Sequence, residues 1–249
     1  MEFLAREYTE VWIPSPLVPL AGFANAARPL ASTGMDSLGL GDLEPPPHLV
    51  GALRTFDSIV SWYGTRRPEF RRALHAIAPR SKFLQALPPS GCCLHATDFF
   101  ASQVGAPTGL IARLPMHAPQ SRSGCIIHPF SGGKRKNWPL EFYRELADHM
   151  PVAVEWCAGP EEELPGAHRF SNLHELAEWI AGARLYIGND SGITHLAAAV
   201  GVTVLALFGP TDPLLWGPRG PNVTVMRSEP IEALPVSEVL AKAQALLSP

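Results

Sequence analysis

Between Arg184 and Pro213 two strongly apolar runs, "RLYIG" and "VGVTVLALFG", are joined through a helical pattern, with one polar break, "NDSGITH", between them. A short run that is apolar at every position suits a strand buried on both faces, as in a parallel sheet, whereas a half-exposed strand alternates. Parallel strands need a crossover, usually a helix of right-handed connection. This stretch therefore limits the chain to an α/β fold. The break raises a question, because Asn189, Asp190, Ser191 and His195 are a more specific choice of donors and acceptors than a turn needs.

The same alternation runs through the rest of the chain. In the first half, "EVWIPSP", "DSIVSWYG" and "KFLQALPP" read as strands. "PLVPLAGFANAA", "RRPEFRRALHAIAP" and "HATDFFASQVG" read as helical, the last ending at Gly105. The segment "APTGLIARLPMHAPQSR", residues 106–122, has three prolines and little periodicity, as a linker would. After it come the strand "CIIHPF", the helix "PLEFYRELADHM", the strand "VAVEWCAG", the helix "LHELAEWIAGA" and the opening stretch, and "VSEVLAKAQALL" closes the chain as a helix. The expected organisation is an α/β domain over 1–115, a second over 123–235 and a closing helix over 236–249. Two such domains facing each other would bind a ligand beyond the carboxyl ends of their strands.

Composition excludes several classes. A net charge of -3 over 249 residues, with basic residues clustered only in "GGKRKNW", gives no electrostatic footprint for nucleic acid. No apolar run reaches the length of a spanning helix, and no signal peptide is visible at Met1. The four cysteines show neither zinc-ligand spacing nor a disulfide framework, so a reducing cytoplasm is expected.

Three polar loops are expected at the carboxyl edge of the second sheet. "HPFSGGKRKNWP" offers Ser131, Gly132 and Lys136: glycines let backbone N–H groups approach a phosphate, and a lysine neutralises its charge. The Walker spacing is absent, and a solvated basic turn is the equally weighted alternative. At "NDSGITH" the helix is expected to start near Asp190 or Ser191, with Gly192 just inside and His195 about one turn on. An ordinary cap accounts for those residues singly. "FGPTDP", with Thr211 and Asp212, adds a third polar turn on the same edge, and the convergence favours a ligand site.

"HPFSGGKRKNWPLEFYRELA" together with "GARLYIGNDSGITHLAAAVGVTVLALFGPTDP" resembles glycosyltransferase family 9, the ADP-heptose:lipopolysaccharide heptosyltransferases, from about Cys125 to Arg227. The resemblance implies two Rossmann-like domains of the GT-B type, facing across a cleft, with the first domain reduced. It implies a nucleotide-diphospho-sugar donor held by the second domain, inversion at the anomeric carbon, no metal or cofactor, and a lipid-linked envelope glycan as acceptor. A peripheral protein on the cytoplasmic side of the inner membrane follows. By the same resemblance the diphosphate rests on the amides of Ser191 and Gly192, and Lys136 pairs with it. Ser131 donates a hydroxyl, Asp190 lies near the sugar, and His195 lies near the phosphate or sugar hydroxyls. Glu161 or Glu162 matches an acidic residue that contacts the ribose.

The resemblance further implies an opening strand and a glycine-aspartate loop carrying the catalytic base. "MEFLAREYTEVWIPSP" reads instead as the end of a first helix, with Phe3 and Leu4 inward, followed by the second strand. The first sheet is then expected to lack its central strand, closing around the gap or borrowing a strand. Asp36, Asp42 and Asp57 do not lie in glycine-rich strand-to-helix turns, so no catalytic residue is assigned. Three readings stand: an active glycosyltransferase, a non-catalytic nucleotide-sugar-binding homologue, and a scaffold that keeps only the fold.

Overall fold

The structure, a computed structural model, describes residues 8–41, 43–116 and 123–248. The expected opening helix over residues 1–7 and Asp42 lie outside the described residues. The chain forms two compact units divided between Gly109 and Leu110.

In the second unit five parallel strands make one sheet. They are β5 (Ser123–His128), β6 (Val154–Trp156), β7 (Ala183–Asn189), β8 (Thr203–Phe208) and β9 (Val223–Arg227), in the order β6-β5-β7-β8-β9. Ile127 pairs with Ile187, and Ile187 with Leu205, so the strands that follow the apolar runs lie at the centre. Leu185, Ile187, Leu205 and Leu207 on one face and Tyr186, Val204 and Ala206 on the other are fully buried, consistent with helices on both faces. On one face α4 (Leu140–Asp148) and the closing helix α8 (Val236–Leu247) complete the core through Tyr143, Leu146, Val239 and Ala243. α5 (Leu173–Ala181) and α6 (Gly192–Val200) pack against each other and contact β7. Leu114 donates its N–H to the Ala199 carbonyl, tying the segment after the division to this unit.

The first unit holds two separate two-stranded parallel sheets. β1 (Glu10–Ile13) pairs with β2 (Ala26–Pro29), and β3 (Ile59–Ser61) pairs with β4 (Ser81–Phe83). Among the described residues the two sheets have not closed into one. Helices α1 (Pro47–Arg54) and α2 (Pro68–Ile77) connect the strands, with Leu49, Leu53, Phe70 and Leu74 as the core, and α3 (Ala96–Gln103) follows β4. Two sequence readings change here. "PLVPLAGFANAA" is a 3-10 helix over Ser15–Leu20, a turn, and the start of β2. Pro16 and Pro19 have no N–H to donate, which leaves only short i to i+3 closure. Pro47–Arg54 is a helix that the sequence reading passed over.

Candidate functional site

β5, β7 and β8 are neighbours and run parallel, so the loops that leave them meet at one carboxyl edge. β7 extends through Asn189, one residue beyond the expected Gly188. Gly188 is needed there, since a Cβ would lie 2.8 Å from the Tyr186 hydroxyl and 3.0 Å from the His128 carbonyl.

Asn189 is fully buried and serves as the anchor of the edge. Its Oδ1 accepts from the Trp138 N–H at 3.0 Å and the Tyr143 hydroxyl at 2.9 Å, while its Nδ2 donates to the Pro129 carbonyl at 2.7 Å. One side chain thereby pins both ends of the "HPFSGGKRKNWP" loop to the end of β7. Trp138 is further fixed by its indole N–H, which donates to the Leu234 carbonyl.

Asp190 follows, its N–H donating to the Leu207 carbonyl at 3.1 Å, and Ser191 is the N-cap of α6. The Ser191 backbone is extended at φ -147, and its Oγ accepts from the Thr194 N–H at 3.4 Å. Thr194, buried, donates its hydroxyl to the Asn189 carbonyl. The first-turn amides of a helix carry partial positive charge, and a Cβ at Gly192 would meet nothing within 4 Å, leaving open space above them. Into this edge comes Lys136, from the 3-10 turn Lys134–Lys136, with its Nζ 3.1 Å from the Asp190 Oδ2. The Asp190 side chain is 9% exposed and the lysine 31%, so the pair is partly shielded from water.

Of the other expected residues, Ser131 has its hydroxyl directed at the Asn137 Oδ1, 2.7 Å away, with the Gly133 carbonyl at 3.1 Å. Gly132 is open, with nothing within 4 Å of a would-be Cβ. His195 lies exposed on the first turn of α6. The third loop touches the first, because a Cβ at Gly209 would lie 3.2 Å from the Arg135 carbonyl. Asp212 caps α7 (Pro213–Trp216), accepting from the Leu214 N–H, and lies 3.9 Å from Arg227. Thr211, half-buried, precedes it.

Glu161 is exposed, and its neighbour Glu162 is the residue turned to the sheet. Glu162 Oε2 accepts from the Gly159 N–H at 2.6 Å and lies 3.2 Å from the His128 Nε2 at the end of β5. Burial pushes its carboxyl upward, but the hydrogen bonds from His128 and Gly159 and the charges of His128 and Arg169 outweigh this and hold it below its ordinary value. His128 was not singled out in the sequence. A polar residue closing an otherwise apolar strand was the only available signal. Its Nδ1 is buried without a hydrogen-bond partner among the described residues. Those residues also contain no group of three acidic, histidine or cysteine side chains able to hold a metal ion.

The fold is of the GT-B class, α/β with Rossmann-like units. It is shared with a family 9 glycosyltransferase from Veillonella parvula (TM-score 0.67, 16% identity, 96% of this chain and 88% of that one). It is shared also with an E. coli heptosyltransferase solved with ADP (TM-score 0.63, 15% identity, 95% and 89%). In sequence, residues 170–245 match glycosyltransferase family 9 (heptosyltransferase). Lipopolysaccharide heptosyltransferase 1 of Pseudomonas aeruginosa is 38% identical over 100 residues, 34% of this chain and 28% of that protein. The E. coli K12 enzyme of the same name is 35% identical over 108 residues, 37% of this chain and 34% of that protein. These sequence matches thus span about a third of the curated relatives' length.

Proposed function

We propose that this protein binds a nucleotide-diphospho-sugar at the carboxyl edge of the second unit's sheet and transfers the sugar, with inversion, to a lipopolysaccharide-type envelope acceptor. The observation that carries the reading is the Lys136–Asp190 pair beside the open, Ser191-capped start of α6. Asp190 and Ser191 lie within residues 170–245, the stretch that matches the heptosyltransferase family, and a heptosyltransferase of the same fold was solved with ADP and again with ADP-2-deoxy-2-fluoro heptose.

In this reading the diphosphate takes the amides of Ser191 and Gly192, and Lys136 turns from Asp190 to the phosphate oxygens. Asp190, released, accepts from sugar hydroxyls, with His195 close by. Ser131 and Gly132 face the phosphates, and Thr211 and Asp212 border the site. Glu162, whose neighbour Glu161 points to solvent, takes the ribose. As the acceptor oxygen bonds to the anomeric carbon, the bond to the diphosphate breaks and its electron pair leaves with the nucleoside diphosphate. Donors fixed in advance at that oxygen stabilise the transition state, each by about 3 kcal/mol. The acceptor is a lipid-linked glycan, and the protein works at the cytoplasmic face of the membrane. Among the described residues no helix is long and apolar enough to cross one.

A second reading, donor binding without transfer, is favoured by one observation. Asp36 lies in a 3-10 turn and Asp57 in the loop between α1 and β3, so neither directly follows a strand. Calorimetry with ADP tests the binding that both readings share. Lys136→Ala is expected to weaken ADP by about 1–3 kcal/mol, the cost of a charge-assisted hydrogen bond. Asp190→Asn is expected to leave ADP binding intact or tighter, because it frees the lysine, while weakening an ADP-sugar. Equal ADP affinity for wild type and Lys136→Ala contradicts the proposal. Turnover of an ADP-sugar by the whole chain then separates transfer from binding alone.

A further inference from the structure

His128 is the last residue of β5 and lies across from Gly188 of β7, two positions before Asp190. The carbonyl that follows it, of Pro129, accepts from the buried Asn189 Nδ2, so the strand end is held in place. The ring is 5% exposed and meets Phe130 edge-on, with centroids 6.3 Å apart. His128 is thus a fixed group at the end of a buried strand. Glu162, by contrast, belongs to the turn after β6, where its N–H donates to the Gly159 carbonyl at 3.3 Å. A glutamate in a turn has several side-chain torsions, and fixing them only when a ligand binds costs affinity.

Three contacts remove that freedom in advance. Arg169 donates to the Glu162 carbonyl, and the Gly159 N–H and His128 Nε2 both reach the Glu162 Oε2, at 2.6 and 3.2 Å. The Glu162 carboxyl is held below its ordinary value, so at neutral pH it is ionised and can only accept. The proton between the two side chains is therefore on the His128 Nε2. Oε2 has two donors, whereas Oε1 has none among the described residues, and the Glu162 side chain is 29% exposed. A carboxylate with one oxygen engaged by the protein and the other without a partner takes a neutral donor such as a hydroxyl. It repels phosphate oxygens, which are themselves acceptors carrying negative charge.

We propose that His128 is the positioning residue for the ribose of the nucleotide: by holding Oε2 it sets the Glu162 carboxylate so that Oε1 accepts from a ribose hydroxyl. The preference for a hydroxylated nucleotide over a deoxygenated one then depends on a side chain that does not itself touch the ligand. This inference rests on the nucleotide-sugar reading. A histidine that merely closed the strand could be replaced by any side chain filling its space, whereas the positioning role requires an N–H donor at the place of Nε2.

The test is calorimetry on the full chain with three probes: ADP, 2′,3′-dideoxy-ADP and inorganic pyrophosphate. Wild type is expected to bind ADP about tenfold or more tighter than the dideoxy compound, as for a hydrogen bond to a charged group. His128→Leu should lose most of this preference while binding pyrophosphate as wild type does. His128→Gln, whose amide donates from a similar reach, should recover it. In Glu162→Ala, which lacks the carboxylate, adding His128→Leu should move the preference no further. The preference is a ratio within one protein, so a loss of stability alone does not change it. An undiminished preference in His128→Leu, an equal loss of pyrophosphate binding, or a further fall in the double variant overturns the proposal while leaving the nucleotide reading in place. Failure of wild type to bind ADP overturns both.

Discussion

Asn189 offers the sharpest mutational test of how the edge is built. Replacing it with leucine keeps the branched shape, in a somewhat larger side chain, and removes every side-chain hydrogen bond. The Trp138 N–H, the Tyr143 hydroxyl and the Pro129 carbonyl are then left without their partner in a fully buried position. Each stranded buried group costs about 1–3 kcal/mol, so Asn189→Leu is expected to destabilise the protein by about 3–6 kcal/mol after some relaxation. Tyr143→Phe deletes only one donor and leaves Oδ1 still accepting from Trp138, which places its cost at about 0.5–1.5 kcal/mol. The assay is urea unfolding followed by tryptophan fluorescence, with the midpoints converted through a common slope. A loss below about 1 kcal/mol for Asn189→Leu, on the scale of a single hydrogen bond, would refute the anchoring role, as would a Tyr143→Phe effect equal to it.

Two further expectations concern pH and thiol chemistry. Glu162 is held below its ordinary value in the folded protein, so its contribution is present above the unfolded value, near 4.5, and is lost as pH falls through the lower folded value. The stability difference between wild type and Glu162→Gln should therefore be full at neutral pH and fade in acid, and a difference that grows on acidification would reverse the sign of the argument. Of the four thiols, Cys93 is exposed and Cys92 half-buried, while burial pushes the Cys125 thiol far up and the Cys157 thiol up to about 12. With Ellman's reagent, Cys93 and Cys92 should react in the native protein and the other pair only after unfolding. Native-state labelling of Cys125 would show the second unit's sheet to be open.

The parts of this structure legible in the sequence are those set by local pattern. β7 is apolar from Leu185 to Gly188 and β8 from Val204 to Phe208 because both faces are covered, and the Asp-Ser-Gly start of α6 follows from the cap that Ser191 provides. The parts that were not legible depend on distant partners. The opposed exposure of Glu161 and Glu162 is decided by the Gly159 turn and by His128, 34 residues away from Glu162. The Ser131 hydroxyl is directed at Asn137, a residue whose role only the folded loop shows. The polarity of Asn189 has an architectural origin, whereas that of Asp190 and Ser191 faces the open edge. In the first unit, β2 contains an arginine and a proline and carries no strand signature. It is a strand because β1 is beside it.

The central claim is that the start of α6 receives a nucleoside diphosphate. The most direct measurement is a titration of the isotopically labelled protein with ADP, following the backbone amides of Ser191 and Gly192 by NMR. The account predicts that these two amides shift in a saturable way together with those of the Lys134–Lys136 turn, and that the shifts weaken in parallel in Lys136→Ala. Saturable ADP binding that leaves the amides of Ser191 and Gly192 unmoved, or no binding at all, would contradict it.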